Sequence, residues 1–454
     1  MAGIPGLRRP DGDTSGFGTS RLATSRLGSR PGRAGAALLA VVIAVAVTRC
    51  AVSSSAQAAP PEPKVRAAVA ATLATRAAAV ASHDKNAYLA TDADGAFKTA
   101  DAQVFDNLTA LPLASWSMAL AAGQSSSAKA GVAHLYPVTE SYELSGVDYK
   151  PVTDTRYLTF VERDGKWLVS STTDGAASGL HADSQIWDQG AVSVVHGSRS
   201  LVIGLGGEQR LKPFADLADH AAAKAATVWG AAGWKGDVVV LVPTTQAQVE
   251  TLLNSGPGSL TGVVAITAGE GGQALTAAPA SRVLVNPEAF DGEAPDAWQF
   301  FFDHELTHVA TRAWTTPAVP LWLSEGAADY TGYLNSSITT DRRFQELADA
   351  VSQNSWQPQD LPATSDFVGS GDAVSRTYQI SNLACALIAQ KYGQAKLVAF
   401  YKAVGTAPAG TADPVDHAFR TVLGTTTAEF TVKWRAFVLN EAHTVATALA
   451  KKHS

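Results

Sequence analysis

Cysteine is scarce in this sequence, with two among 454 residues, and so few thiols exclude a disulfide framework. Charge is sparse as well, at 17% of residues, but the 46% hydrophobic fraction lies in the globular range and excludes a disordered tail protein. There is no basic excess. Lys and Arg number 35 against 41 Asp and Glu, a formal charge of -6, which argues against a nucleic-acid partner. The apolar run AGAALLAVVIAVAV, from Ala34 to Val47, stops at fourteen residues, short of the about 20 that span a bilayer. Alanine makes up much of the hydrophobic fraction, supporting helices while burying little area per residue. The length allows two or three domains, each large enough for its own core.

What is present begins with an address. Residues 1 to 33 carry Arg8, Arg9, Arg21, Arg26, Arg30 and Arg33 among Gly, Ser and Pro, without a periodic apolar pattern. A positive region, the apolar run 34–47 and the small-residue stretch ending at Ala56-Gln57-Ala58 form a signal peptide with a mature start near Ala59. The alternative for residues 1–58 is an uncleaved, tilted membrane anchor with the arginines inside. Either places the rest of the chain outside the cytoplasm, secreted or anchored by residues 34–47. Cys50 invites a lipoprotein reading, but Arg49 stands where such cleavage sites want a small residue. Residues 1–58 hold seven arginines and two aspartates, so the chain after Ala58 is near -11 and keeps one cysteine, Cys385.

After the linker Pro60-Pro61-Glu62-Pro63, the Ala-rich stretch from Val65 to about Ala121 has helical spacing. Residues 156 to 172 (RYLTFVERDGKWLVSST) read as two alternating strands around Asp164-Gly165. Helices followed by an antiparallel sheet with this hairpin resemble the nuclear-transport-factor-like or cystatin-like superfold, a small cone-shaped α+β domain over residues 59–185. That superfold hosts enzymes and passive modules alike. His83, His134 and His181 lie singly, so a packing or substrate-docking role is expected of it.

A second unit, residues 190–454, opens with a hairpin at 192–204 closed at Gly197-Ser198, then a helix over 211–230. Strands are expected at 237–242, 262–267 and 282–286, with a helix at 245–253. From Pro295 onward the pattern is mostly helical. The fold class is therefore α+β in two domains, the second with an α/β upper lobe and a mainly helical lower lobe.

The informative residues are Phe301-Phe302-Asp303-His304-Glu305-Leu306-Thr307-His308. Pro295 suits a first helical position, and Trp298, Phe302, Val309 and Ala313 supply an apolar stripe to a helix running to about Trp314. On it His304 and His308 stand one turn apart, about 40° round and roughly 6 Å along the axis, so both imidazoles reach one ion. Glu305 lies on the adjacent face, beside the metal rather than on it. This is the H-E-x-x-H zinc pattern, for which chance gives on the order of 0.01 matches in such a chain. Seventeen residues on, PLWLSEGAADY reads as a second helix, with Glu325 near its start and Asp329 one turn later. A carboxylate completes a His₂Glu set and leaves the fourth position of a single Zn²⁺ open for water. Asp329 can accept the free N–H of a ligating histidine.

HELTHV followed by PLWLSEGAADY resembles the gluzincin branch of zinc metallopeptidases, the thermolysin-like and aminopeptidase-N-like enzymes, and within it the bacterial peptidase MA-like domain. The resemblance covers roughly residues 190 to 400. It implies His304, His308 and Glu325 as zinc ligands, Glu305 as general base, and Asp329 behind His304. In aminopeptidase-N-like members a tyrosine at the start of a later helix steadies the oxyanion. Tyr378, in residues 375–393, occupies that place, with Arg376 the poorer candidate. Cys385 on that helix reads as a buried core thiol. Aminopeptidases of this branch carry a G-x-M-E-N segment that binds the substrate amine. Gly269-Glu270-Gly271-Gly272 does not match it, so Glu270 is a weak amine anchor and an endopeptidase is favoured. The strand at 282–286 is expected to offer an edge to an extended peptide.

The expected reaction is hydrolysis of a peptide or protein substrate, with Glu305 taking a proton from water and returning it to the leaving amine, a role worth about 10²–10⁴-fold. Rival readings are a non-catalytic exported binding protein with a structural zinc, an aminopeptidase of the same branch, or a peptidase whose first domain is an inhibitory propeptide. No nucleic acid is expected as partner, and the membrane only through an uncleaved amino terminus.

Overall fold

The computed structural model describes residues 20–23, 63–122, 126–129, 133–176, 179–230, 234, 236–269, 280–369 and 371–453. The apolar run 34–47, the Ala56–Ala58 site, Cys50 and Glu270 lie outside them. Among the described residues no helix is long and apolar enough to cross a membrane. Helix outweighs strand in a mixed α/β chain.

Within the arginine-rich start, β1 (Ser20–Ala23) forms a short strand. It needs no apolar period, because an edge strand is held by backbone hydrogen bonds alone. The Ala-rich stretch then folds as α1 (Pro63–Ala81), α2 (Lys85–Leu89) and α3 (Ala96–Ala110). A helical reading to Ala121 overshoots, since Leu113–Leu120 is strand β2. There Trp116, Met118 and Leu120 alternate with exposed residues at the period of a strand, a signal the surrounding alanines mask. β3 (Ser126–Lys129), β4 (Ala133–Leu144), β5 (Val152–Arg163) and β6 (Lys166–Ser171) complete a five-stranded antiparallel sheet ordered β2-β4-β5-β6, with β3 on β4. Asp164 and Gly165 join β5 to β6 with φ of +50° and +75°, the left-handed pair a two-residue type I′ hairpin demands. Inside this unit Arg76 is buried, ion-paired to Asp92 and Asp101 and hydrogen-bonded to the Tyr88 hydroxyl at 2.6 Å.

The second sheet takes β7 (Val192–His196), β8 (Ser200–Leu205), β9 (Val238–Val242), β10 (Val263–Gly269) and β11 (Ser281–Val285). Its order is β1-β10-β11-β9-β8-β7, with β8, β9 and β11 parallel and β7, β10 and β1 antiparallel to their neighbours. The crossovers use α4 (Glu208–Trp229) and α5 (Gln246–Leu252), the latter opened by a Thr245 capping box with Gln248. The expected edge strand at 282–286 is therefore not an edge. β11 is enclosed by β10 and β9, because the chain reverses after β10 and inserts β11 beside the parallel strands, while β10 itself lies between β11 and the short β1.

The remaining chain is helical: α6 (Pro287–Phe290), α7 (Trp298–Thr311), α8 (Leu321–Tyr333), α9 (Thr340–Arg343), α10 (Gln345–Ser352), α11 (Asp372–Tyr392), α12 (Gln394–Gly405), α13 (Pro414–Ala418) and α14 (Thr427–His453). Val240, Val283 and Val285 belong to one core with Phe302, Leu306 and Val309 of α7 and with α4 and α8. Ile203, Leu241 and Leu284 belong to another, shared with Tyr88, Leu108, Tyr142, Leu144 and Trp187. The first unit thus covers one sheet face and α7 the other. Polar ties cross the junction, and two of them are buried. Asn107 of α3 donates to the carbonyls of Trp187 and Gly190 at 2.8 and 2.7 Å and accepts from Val192 N–H at 2.9 Å. Asp148, in the β4–β5 loop, takes both guanidinium nitrogens of Arg282 at 2.7 and 3.0 Å, with both side chains buried.

Removing one member of such a buried pair takes away the other's bidentate counter-charge. Asp148→Ala is therefore expected to destabilise the protein by about 3–5 kcal/mol in urea unfolding. The double substitution Asp148→Ala with Arg282→Met should recover most of that loss, and a single mutant of unchanged midpoint would refute the tie.

Candidate metal centre

α7 is buried from Phe300 to Thr311, packed between α4, α8 and the sheet, so its polar side chains are shielded from bulk water. The wall opposite His304 and His308 is α8, entered through the extended Pro320. The Ser381 carbonyl oxygen of α11 occupies the space that a Cβ on Gly326 would need, so a glycine there lets α8 lie flush on α11. That contact sits one residue after Glu325.

The structure brings His304, His308 and Glu325 together as a buried group that can hold a metal ion. His304 Nε2 lies 3.1 Å from His308 Nε2, and Glu325 Oε2 lies 3.3 and 3.6 Å from those two atoms. Glu325 Oε2 accepts no hydrogen bond from the protein although it is fully buried. Three donor atoms converging at these separations, one of them otherwise unsatisfied, are the arrangement an ion explains. His304 Nδ1 is 2.8 Å from Asp329 Oδ1, which leaves Nε2 for the ion. Ser324 Oγ stands 3.5 Å from His308 Nδ1.

Glu305 is 0% exposed. Its Oε2 accepts a hydrogen bond from Thr267 Oγ1 at 2.6 Å, and its Oε1 has no protein partner. Burial raises its carboxyl pKa, only partly offset by His304, His308 and Thr267. Burial alone would lower the His304 imidazole, but its hydrogen bond to Asp329 and the close Glu325 carboxylate outweigh it and hold the group at about 10. Burial would likewise raise Glu325, and the two imidazoles reverse this and hold it at about 2. The neighbouring carboxylates thus favour the protonated form of His304.

The other candidates share α11. Tyr378 is buried on α11 with its ring edge-on to Phe367 at 5.2 Å. Arg376 pairs with Glu346 at 2.8 Å, tying α11 to α10. Cys385 is a buried free thiol whose pKa burial raises. Sequence reasoning missed Thr267 and Ser324. Ser324, beside the ligand Glu325, had a positional signal, whereas Thr267 is 38 residues from Glu305 and had none. It also missed Lys224, whose ammonium bonds Asp303 at 2.7 Å and fixes α7 to α4. Neither a family model, a curated protein nor a solved structure matches the chain.

Two outcomes follow from the charges. In the metal-free protein the raised His304 contributes stability fully present below the ordinary imidazole pKa of about 6.5 and lost as pH rises through about 10. Glu325 works in the opposite window, its contribution present above the usual carboxylate range and lost as pH falls toward about 2. Metal loading at pH 7 should therefore release about one proton from His304, measurable by calorimetry in buffers of different ionisation enthalpy. No net proton release would contradict the assignment. Asp329→Ala should weaken metal affinity about 10–100-fold in competition with a chromophoric chelator.

Proposed function

We propose that the protein is an extracytoplasmic zinc-dependent endopeptidase of gluzincin type, with residues 59–185 as a nuclear-transport-factor-like packing domain and 190–454 as the two-lobed peptidase. The observation that carries the reading is the pairing of a three-donor cluster with a fully buried carboxylate oxygen, Glu305 Oε1, that no protein group satisfies. A purely structural metal has no use for such a base. Zinc is the metal we favour. Its tetrahedral bonds of ~2.0–2.1 Å set donors ~3.3–3.4 Å apart, and the observed 3.1, 3.3 and 3.6 Å bracket that spacing.

His304, His308 and Glu325 would hold the ion, which when bound supplies Lewis acidity toward the scissile carbonyl and the attacking water. The remaining work falls to the chain. Asp329 fixes the His304 tautomer by accepting from Nδ1–H. Glu305 takes the proton of the attacking water on Oε1 and returns it to the leaving amine as the C–N bond breaks. Tyr378 is the assigned oxyanion donor, a role that rests on its place in the sequence. The extended substrate belongs on β10, the strand beside α7 whose far side takes β1, rather than on β11. That Ser20–Ala23 of the chain itself pairs antiparallel along β10 supports this placement. The arginine-rich start followed by residues 34–47 supports export.

The test is purified residues 59–454 on a peptide library, with and without chelator, beside Glu305→Gln. The reading expects one zinc per chain in both proteins, internal cleavages by the wild type that a chelator abolishes, and a fall of at least about 10²-fold in Glu305→Gln. An active Glu305→Gln, or removal of amino-terminal residues only, would contradict it.

A further inference from the structure

We propose that Thr267 is a positioning residue for Glu305, and that it couples the carboxylate to the strand along which an extended peptide pairs. The inference rests on the peptidase reading and adds to it a residue whose side chain is neither a metal ligand nor a substrate contact.

Thr267 lies on β10 among Val, Ala and Ile, and is 0% exposed. A hydroxyl in such a place needs an acceptor. Two are within reach, the Glu305 carboxylate oxygen Oε2 at 2.6 Å and the Glu305 backbone carbonyl at 3.0 Å. The shorter contact is to the charged acceptor, where a hydrogen bond is the stronger one. Both acceptors belong to one residue, so the hydroxyl grips Glu305 at its backbone and at its tip. Fixing Oε2 determines the rotation of the carboxyl group and leaves Oε1 as the oxygen turned away from β10, with no protein partner.

Thr267 also has a position in the ladder. Its backbone is paired with Val283 of β11 on one side and with Ser20 of β1 on the other. The residue that holds the base by its side chain is therefore one that an added strand meets through its backbone. Occupying that side of β10 shifts or steadies Thr267, and the shift reaches Glu305 across one hydrogen bond. Valine at 267 keeps shape and β propensity while removing the donor, and serine keeps the donor.

The experiment compares Thr267→Val and Thr267→Ser with the wild type. Thr267→Val should retain one zinc per chain and a KM within about twofold, while kcat falls about 10–100-fold, the scale expected when a reacting group is misplaced by about 1 Å. Thr267→Ser should recover kcat to within about threefold. A readout independent of turnover is the urea midpoint of the metal-free protein. Thr267→Val should lower it more in the wild-type background than in a Glu305→Ala background, where only the bond to the residue-305 carbonyl remains. An unchanged kcat in Thr267→Val, an equal loss in Thr267→Ser, or additive midpoint shifts would overturn the proposal. A wild-type protein that binds zinc and cleaves no peptide would instead overturn the peptidase reading beneath it.

Discussion

Three carboxylates and two imidazoles are enclosed between α7 and α8, and the excess negative charge of that group must be met inside the protein. Glu305, Glu325 and Asp329 would leave a surplus beside neutral His304 and His308 in a medium that solvates ions poorly. With no cation the surrounding carboxylates favour a proton on His304. A divalent ion satisfies the same charge and the same donor atoms at once, including the otherwise unmatched Glu325 Oε2. The surrounding contacts serve to hold that geometry. Lys224 anchors α7 through Asp303, Gly326 lets α8 lie against α11, and Arg343 pairs with Asn382 of α11 while its charge acts on Asp329.

The sheet behind the centre is braced from its other face. Its central strand β11 is gripped by Asp148 of the first unit through Arg282, and an apolar core spans the junction. Residues 59–185 therefore stand in the packing of the sheet that carries Thr267. Removing the first unit would bare Ile203, Leu241 and Leu284 to water.

Much of the centre was legible because its spacing is local. His304 and His308 share one helix, Glu325 and Asp329 share the next, and a turn of helix converts these intervals directly into faces. The DG hairpin and the β-branched strands were readable for the same reason. Three features were not. β2 was hidden by alanine, whose helical preference outweighed the sparse alternation of Trp116, Met118 and Leu120. The edge was assigned to β11 because strand order in a mixed sheet is set by long-range pairing, which no local pattern records. Thr267 and Asp148 act across 38 and 134 residues on Glu305 and Arg282, and a single Thr or Asp has no signature of such a role.

The central claim is that His304, His308 and Glu325 share one zinc ion. X-ray absorption at the zinc edge on the purified metal-loaded protein addresses it without reference to any substrate. The account predicts a four-coordinate first shell of nitrogen and oxygen at ~2.0–2.1 Å, with outer-shell scattering from two imidazoles and not from three or four. Replacing Glu325 with alanine should lose one oxygen neighbour or the metal altogether. A shell containing sulfur, a fit requiring more than two histidines, or a protein that retains no stoichiometric zinc would contradict it.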